Sequence, residues 1–217
     1  MSDARPNLEA APVRVLLGGS FDPVHCGHLA LADAAHAYGA SEVVWIPVSR
    51  SPFKSEGPQI EAADRLALLQ VAIQNRANER IDLCEWQRGG TSYTVDTLRS
   101  FAGEALAGRL ALLMGEDSLA DFLDWHEAEV ILSLAELWVV PRVQNGASSL
   151  AGHRERICGA HPAARIELLP FTLQEARSTA LRAQLAAGID PGRALLPVSV
   201  MHEVIARGLY GCLGRAD

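Results

Sequence analysis

The sequence predicts an α/β protein, a Rossmann-like doubly wound parallel sheet with a small helical appendage at its C-terminus. Short, almost wholly apolar runs alternate along the chain with longer segments of helical spacing. Most of these runs end at Gly or Pro, which are typical of the turns that follow strands. Because the runs are apolar without alternation, we expect strands that are buried on both faces, as in a parallel sheet.

Composition predicts one folded domain. The chain has 217 residues, of which 49% are hydrophobic and 21% charged, so wholesale disorder is excluded. We expect a flexible tail at 1–12 and a single domain at 13–217. The net charge of −7 argues against nucleic-acid and membrane partners, because phosphates would be repelled. The N-terminal segment has no apolar core and the four cysteines have no paired spacing, so we expect reduced thiols and a cytoplasmic protein.

The first half of the chain predicts three strands and three helices. The first strand ends at Gly18 and Gly19, and Gly39 ends the first helix. Residues 48–61 are rich in Ser, Pro and Gly and are predicted to form a loop. The predicted strands are 13–17, 43–47 and 81–84, and the predicted helices are 28–38, 62–76 and 94–101.

The second half of the chain predicts three further strands and a helical end. The run before Gly115 is the strongest strand. The predicted strands are 109–114, 137–141 and 166–169, and the predicted helices are 179–187 and 198–207. Ligands of such sheets bind at the carboxyl ends of the strands, so the turns after strands one, two and four are the candidate sites.

The turn after the first strand has the composition of a phosphate site. It reads GGSFDPVHCGH, in which Gly18 and Gly19 allow close backbone approach and Ser20 adds a hydroxyl donor. His25 and His28 stand where the first helix opens, and a helix N-terminus favours anions. The pattern is neither G-x-G-x-x-G nor G-x-x-x-x-G-K. A tight turn, a helix cap or a zinc pair are the alternatives, although no further zinc ligand stands at a familiar spacing.

This string resembles the signature of the nucleotidyltransferase superfamily that carries the H-x-G-H motif. More closely, residues 13 to about 210 resemble the bacterial nicotinate-nucleotide adenylyltransferases. The resemblance implies transfer of AMP from ATP to nicotinate mononucleotide, which gives deamido-NAD and pyrophosphate. It also implies that Mg²⁺ accompanies ATP and that His25 and His28 act on the α-phosphate.

Two other segments match that family at the acceptor and ribose sites. The stretch SYTVDTL resembles the helix start beside the nicotinate ring, which places Thr94 and Val95 near the ring carboxylate. The stretch GEDSLADFLDW resembles the motif in which Gly115 and Asp117 lie against the ATP ribose and Trp125 stacks on the ring. Taken alone, these residues could equally be helix caps and a core tryptophan.

Two more segments match the phosphate-binding parts of the family, with departures. In PVSRSPFK, Lys54 is the only lysine of the chain and Phe53 replaces the usual histidine. In RSTALR, Ser178, Thr179 and Arg182 match, whereas Ala176 and Arg177 replace the first two motif positions. The resemblance implies that Lys54 and Arg182 hold the β- and γ-phosphates. A solvated loop lysine and a capped helix remain the alternatives for these segments.

The resemblance thus implies three sets of site residues and no protein metal site. The catalytic set is His25, His28, Lys54 and Arg182. The ATP set is Gly18, Gly19, Ser20, Phe21, Gly115, Asp117, Ser178 and Thr179. The nicotinate mononucleotide set is Asp22, Thr94, Val95, Trp125 and His126. A nicotinamide mononucleotide or phosphopantetheine acceptor stays open, as does a non-catalytic nucleotide-binding protein, and the oligomeric state is not predicted.

Overall fold

The sheet has six parallel strands, and all six were predicted from the sequence. The computed structural model describes residues 11–50, 57–103, 108–141, 146–171 and 176–212. Within them the strand order is β3-β2-β1-β4-β5-β6. The strands are β1 (Val13–Gly19), β2 (Ala40–Pro47), β3 (Glu79–Ile81), β4 (Arg109–Gly115), β5 (Glu136–Val140) and β6 (Ile166–Leu168).

Helices cover both faces of this sheet. They are α1 (Cys26–Tyr38), α2 (Ala62–Ile73), α3 (Cys84–Arg88), α4 (Thr94–Ala102), α5 (Glu116–Ala120), α6 (Ala128–Leu134), α7 (Gly146–Ala160), α8 (Ser178–Ala186) and α9 (Val198–Ala206). Short 3-10 turns follow at Phe122–Asp124 and Leu209–Gly211. Among the described residues, no helix combines the length and the apolar character that crossing a membrane requires.

The centre of the sheet is a topological switch point. Strand β1 pairs with β2 on one side and with β4 on the other, and the chain crosses over between them. Gly19 at the end of β1 lies opposite Pro47 at the end of β2. The carboxyl ends of β1, β2 and β4 therefore meet at one edge, where open α/β sheets bind ligands.

Neighbouring residues of one strand belong to two separate cores. Leu17 and Trp45 are buried with α1, α2 and the C-terminal helices on one face, whereas Leu16 and Ile46 are buried with α4, α6 and α7 on the other. This alternation follows from the twofold period of a strand. It explains why the strand sequences are apolar without interruption.

The predicted C-terminal appendage is packed against the first core. Helix α9 lies on α2, and Val200 and Val204 are fully buried there. Leu185 of α8 belongs to the same core. The C-terminal helices therefore cover one face of the sheet.

Several boundaries differ from the sequence prediction, and β2 begins three residues earlier than predicted, at Ala40. The third strand covers Glu79–Ile81, and Cys84 starts a helix instead of ending a strand. The Asp82 carboxylate accepts the N–H of Cys84 at 2.9 Å, a side-chain turn that ends the strand. Helix α1 begins two residues earlier than predicted, at Cys26, and α2 ends three residues earlier, at Ile73.

The N-terminal boundary of the domain and the state of the cysteines bear on two further predictions. The carbonyl of Pro12 accepts the N–H of Arg109 at 2.9 Å, whereas residues 1–10 lie outside the described residues. All four cysteines are free thiols, as predicted.

Candidate active site

A cavity of about 630 Å³ opens at the carboxyl edge of the sheet. Its wall is formed by the turn after β1, the exit of β2, the end of β4, and the first turns of α1, α4 and α8. The glycines and hydroxyl residues on the wall are Gly18, Gly19, Ser20, Gly27, Ser92, Thr94, Thr97, Gly115, Ser118, Ser178 and Thr179. This is the edge at which the sequence placed the site.

The two glycines at the end of β1 serve two different purposes. A Cβ on Gly18 would meet nothing within 4 Å, so this residue presents bare backbone to the cavity. A Cβ on Gly19 would lie 2.9 Å from the ring of Phe21. Phe21 has a left-handed φ of 47° and is 1% exposed, so its ring is tucked beneath the turn. Phe21 itself does not line the cavity, and it packs edge-on against His28 at 5.0 Å.

The two motif histidines lie together at the start of α1. His25 is the N-cap residue and is 6% exposed, and its ring stacks on that of His28 with centroids 3.7 Å apart. The backbone N–H of His25 donates to Nδ1 of His28 at 3.2 Å. Because this Nδ1 accepts, the proton of the neutral His28 ring is on Nε2. A Cβ on Gly27 would lie 3.1 Å from the His25 ring, which explains the glycine of the motif.

A buried arginine that the sequence analysis did not single out supports the turn from below. Arg65 of α2 is 3% exposed, and its Nη1 donates to the carbonyls of Ser20 and Val48, each at 2.9 Å. Its guanidinium also lies 5.1 Å from the centre of the Trp86 ring. Burial lowers the pKa of Arg65. The side chain joins the turn after β1 to the exit of β2, and it places a buried positive charge behind both.

Asp22 and Arg182 lie behind the cavity wall. Asp22 is 3% exposed, and its carboxylate accepts the hydroxyl of Tyr210 at 2.7 Å and the N–H of Gln59 at 2.8 Å. Nη1 of Arg182 donates to the Asp22 carbonyl at 2.7 Å. Burial, reinforced by the Asp22 contact, raises the pKa of Tyr210. Neither Asp22 nor Arg182 lines the cavity, and their predicted substrate contacts stay predictions.

The start of α8 forms a further part of the cavity wall. Ala176, Arg177, Ser178 and Thr179 all line the cavity, with Arg177 exposed. The hydroxyl of Ser178 donates to the carbonyl of Pro23 at 3.4 Å, which holds α8 close to the turn after β1. Nη2 of Arg182 donates to the Thr179 hydroxyl at 3.4 Å, so Arg182 contacts a residue of the cavity wall without lining the cavity itself.

The cavity wall also carries the aromatic side chain expected of a ring site. Trp125 is half-buried, packs 5.5 Å from Phe122, and lines both the main cavity and an adjoining pocket of about 220 Å³. Thr94 lines both as well. Val95 has its side chain fully buried in the second core, so only its backbone could contact a ligand there.

His126 borders only the smaller pocket. Its side chain is 54% exposed and its ring lies 4.5 Å from that of Tyr93. Next to it, Glu127 adopts a left-handed φ of 53° and takes a bidentate pair of hydrogen bonds from Arg99 of α4, at 3.1 and 2.6 Å. This ion pair ties the tryptophan loop to the helix that opens at Thr94.

Two carboxylates complete the described wall. Asp117 follows Gly115 at the end of β4, and both line the cavity where the sequence places the ribose. Glu85 of α3 also lines it, although it is only 5% exposed, and accepts the Thr97 hydroxyl at 2.7 Å. Burial raises the pKa of Glu85, and the hydroxyls of Ser92 and Thr97 partly offset this.

Comparisons with known proteins agree with this geometry. A family model described as cytidylyltransferase-like matches residues 16–184. A probable nicotinate-nucleotide adenylyltransferase from Stenotrophomonas maltophilia is 39% identical, over 91% of this chain and 96% of the relative. A protein of the same description from Gloeobacter violaceus is 35% identical, over 90% of this chain and 94% of the relative. The chain belongs to the nicotinate-nucleotide adenylyltransferase family.

Solved structures confirm the fold of this adenylyltransferase. The nicotinic acid mononucleotide adenylyltransferase of Plasmodium falciparum, complexed with NaAD, superposes with a TM-score of 0.71 at 17% identity. That match covers 92% of this chain and 98% of the other. A putative nicotinate-nucleotide adenylyltransferase from Vibrio parahaemolyticus gives a TM-score of 0.66 at 15% identity, over 92% of this chain and 95% of the other.

Several site residues of the adenylyltransferase were missed or lie beyond the described residues. Lys54 and Phe53 fall in 51–56, which the structure does not describe, so their roles stay predictions. Arg65 was missed because a charged residue in a helical pattern is normally assigned to solvent, and Glu85 was missed because the short helix that carries it was not predicted. A signal existed for Arg65 alone, since it stands four residues before the buried Leu69 on the same helix face.

Proposed function

We propose that this adenylyltransferase transfers AMP from Mg-ATP to nicotinate mononucleotide, which yields deamido-NAD and pyrophosphate. The observation that carries the proposal is one cavity lined by two kinds of residue. His25 and His28 line the part that we call the phosphate end, and Trp125 and Thr94 line the part that we call the acceptor end. A volume of about 630 Å³ falls within the usual range for small-molecule sites, roughly 300–1,000 Å³. The names of the curated relatives support the same reaction.

The chemical step needs positioning and charge stabilisation from the protein. A phosphate oxygen of nicotinate mononucleotide attacks the α-phosphorus of ATP, and the bond from that phosphorus to the bridging oxygen breaks to release pyrophosphate. A phosphate monoester is already anionic near neutral pH, so no general base is required. The Nε2–H of His28, the His25 ring and the N-terminus of α1 stabilise negative charge that develops on the transferring phosphate.

Mg²⁺ enters this proposal as part of the nucleotide substrate. The described residues contain no group of three His, Cys, Asp or Glu side chains that could hold a metal ion. Mg²⁺ bound to nucleotides keeps several waters and takes most other ligands from phosphate oxygens, so the site as described fits Mg-ATP. Bound there, the ion would neutralise phosphate charge.

The acceptor end favours a carboxylate on the pyridine ring. The indole of Trp125 offers a flat face to the pyridinium cation. The first N–H groups of α4, at Thr94 and Val95, have no intrahelical acceptors, so they suit a ligand group that only accepts hydrogen bonds. A carboxamide would turn its own NH₂ donor towards some of them. Each buried donor left unpaired costs about 1–3 kcal/mol, so two of them imply discrimination of about 10²-fold or more.

The test is a comparison of acceptors under identical Mg-ATP. We measure pyrophosphate release with nicotinate mononucleotide, nicotinamide mononucleotide and phosphopantetheine, and identify each product by mass. We expect kcat/KM for nicotinate mononucleotide to exceed that for its amide by about 10²-fold or more. Equal values, or a preference for the amide, would contradict the carboxylate preference. The proposed reaction would be overturned if only phosphopantetheine were adenylylated, or if none of the three acceptors were.

A tryptophan variant serves as the matched control. Stacking on Trp125 is common to the nicotinate and nicotinamide acceptors, so Trp125→Ala lowers kcat/KM for both while leaving their ratio nearly unchanged. A large change in the ratio would place the discrimination on Trp125 instead of on the start of α4.

A further inference from the structure

The described part of the cavity wall carries one permanent positive charge. Among the described residues that line the cavity, Arg177 is the only lysine or arginine. The other ionisable side chains on this wall are His25, His28, Glu85 and Asp117. ATP carries several negative charges, so among the described side chains of this wall the guanidinium of Arg177 is the one best suited to bind its phosphates.

Arg177 is placed where an arginine can reach such an anion. It is the N-cap residue of the nine-residue helix α8, with an extended backbone, and its side chain is exposed. Its neighbours Ser178 and Thr179 line the same wall. The N-terminus of a helix attracts anions, and a guanidinium can donate two parallel hydrogen bonds to one phosphate.

Arg182, the arginine that the family motif assigns to the pyrophosphate, is engaged elsewhere. Its Nη1 donates to the Asp22 carbonyl at 2.7 Å and lies 3.7 Å from the Asp22 carboxylate. Its side chain is only 18% exposed. Arg182 therefore joins α8 to the turn after β1, whereas Arg177 lies on the cavity side of the same helix start.

We propose that Arg177 binds the β- and γ-phosphates of ATP and contributes to the affinity of this chain for the triphosphate. The inference rests on the proposed function.

The test compares Arg177→Ser with Arg154→Ser. Arg154 is an exposed arginine of α7 that does not line the cavity, so its variant loses the same charge elsewhere. We expect Arg177→Ser to raise KM for ATP about tenfold or more, because hydrogen bonds to charged groups are strong. KM for nicotinate mononucleotide should change less than twofold, and Arg177→Lys should recover part of the loss. Arg154→Ser should leave both KM values unchanged.

Calorimetry with Mg-ATP alone separates this inference from the proposed reaction. Binding of Mg-ATP needs no acceptor, so Arg177→Ser should weaken it by about tenfold or more even if the acceptor is not nicotinate mononucleotide. An unchanged dissociation constant, or equal losses for Arg177→Ser and Arg154→Ser, would overturn the role of Arg177. An equal rise in the KM of ATP and in the KM of the acceptor would also overturn it, since Arg177 would then affect both substrates and not ATP in particular.

Discussion

His25 and His28 form one stacked unit in the first turn of α1, with ring planes inclined by only 23°. The same two residues are joined by the hydrogen bond from the His25 backbone to Nδ1 of His28. Phe21 closes the arrangement with an edge contact to His28. The orientation and tautomer of His28 are therefore set before a substrate binds, which is the preorganisation that charge stabilisation requires.

His28 is predicted to act through the hydrogen on Nε2. His28→Ala should lower kcat by about 10²-fold or more, as the loss of a transition-state donor does. His28→Gln, which can place an amide NH₂ near the position of Nε2, should retain more activity than the alanine variant. Circular dichroism and melting temperatures show whether both variants fold. A folded His28→Ala enzyme with an unaltered kcat would rule out this role.

Arg65 is predicted to support ATP binding without touching ATP. Arg65→Met leaves the carbonyls of Ser20 and Val48 without their donor, so the free energy of unfolding should fall by about 1–3 kcal/mol. Because both carbonyls belong to the phosphate end of the cavity, KM for ATP should rise more than KM for the acceptor. Urea denaturation and two-substrate kinetics give the two quantities.

Arg76→Met is the matched control for Arg65. Arg76 forms ion pairs with Glu79 and Asp33, away from the cavity. This variant should lose stability and keep its KM for ATP. If both arginine variants changed KM for ATP equally, the effect would be general destabilisation, and the positioning role of Arg65 would be wrong.

The sequence predicted the parts of the fold that have a strong local pattern. Every strand of the sheet and the helices α1, α2, α4, α8 and α9 were predicted from apolar runs and helical spacing. Helix α7 was missed because its 15 residues include three glycines and show little apolar periodicity. The short helices α3, α5 and α6 were missed because segments of five to seven residues are stabilised by tertiary packing, not by propensity.

The candidate site was predictable where its residues are neighbours in sequence. The glycine turn and the histidine pair lie within one strand–turn–helix unit, so their proximity follows from chain geometry. Which face of the turn each residue occupies does not follow from sequence. Asp22 and Arg182 belong to the same sequence motifs as Gly18 and Ser178, but they do not line the cavity. The Asp22 carboxylate is held by Tyr210 and Gln59, and Arg182 donates to the Asp22 carbonyl.

Glu85 is predicted to make stability depend on pH. Burial raises its folded-state pKa above the ordinary value of 4.5, so the folded protein holds this proton more tightly than the unfolded chain does. Stability from this group is therefore full below pH 4.5 and is lost as the pH rises through the folded-state pKa. Glu85→Gln, which keeps an acceptor for Thr97, should raise the melting temperature at pH 8 and lose this advantage near pH 4.

The exposed carboxylate Glu129 of α6 provides the control for Glu85. Glu129→Gln removes the same charge from the surface and should not reproduce the pH-dependent gain. If the wild-type protein were more stable than Glu85→Gln at pH 8, the carboxylate of Glu85 would be stabilised in its ionised form, contrary to the effect of burial.

Arg99 and Glu127 are predicted to control the width of the acceptor end. Arg99 belongs to α4, which opens at Thr94, and Glu127 follows the loop that carries Trp125. Breaking their bidentate pair frees the tryptophan loop from α4, so Arg99→Met should raise KM for the acceptor. The pair is exposed and screened by solvent, so the rise should be only about two- to fivefold. KM for ATP and kcat should stay within twofold.

A charge swap tests whether the pair itself is responsible. Arg99→Glu alone places two carboxylates together, so it should raise the acceptor KM more than Arg99→Met does. Adding Glu127→Arg restores opposite charges across the same gap and should recover most of the loss, whereas Glu127→Arg alone should not. The effect of Arg99→Met should also shrink at high salt, because screening weakens the pair in the wild-type enzyme. If the double variant bound the acceptor as poorly as Arg99→Glu, the electrostatic link between the two walls would not control acceptor binding.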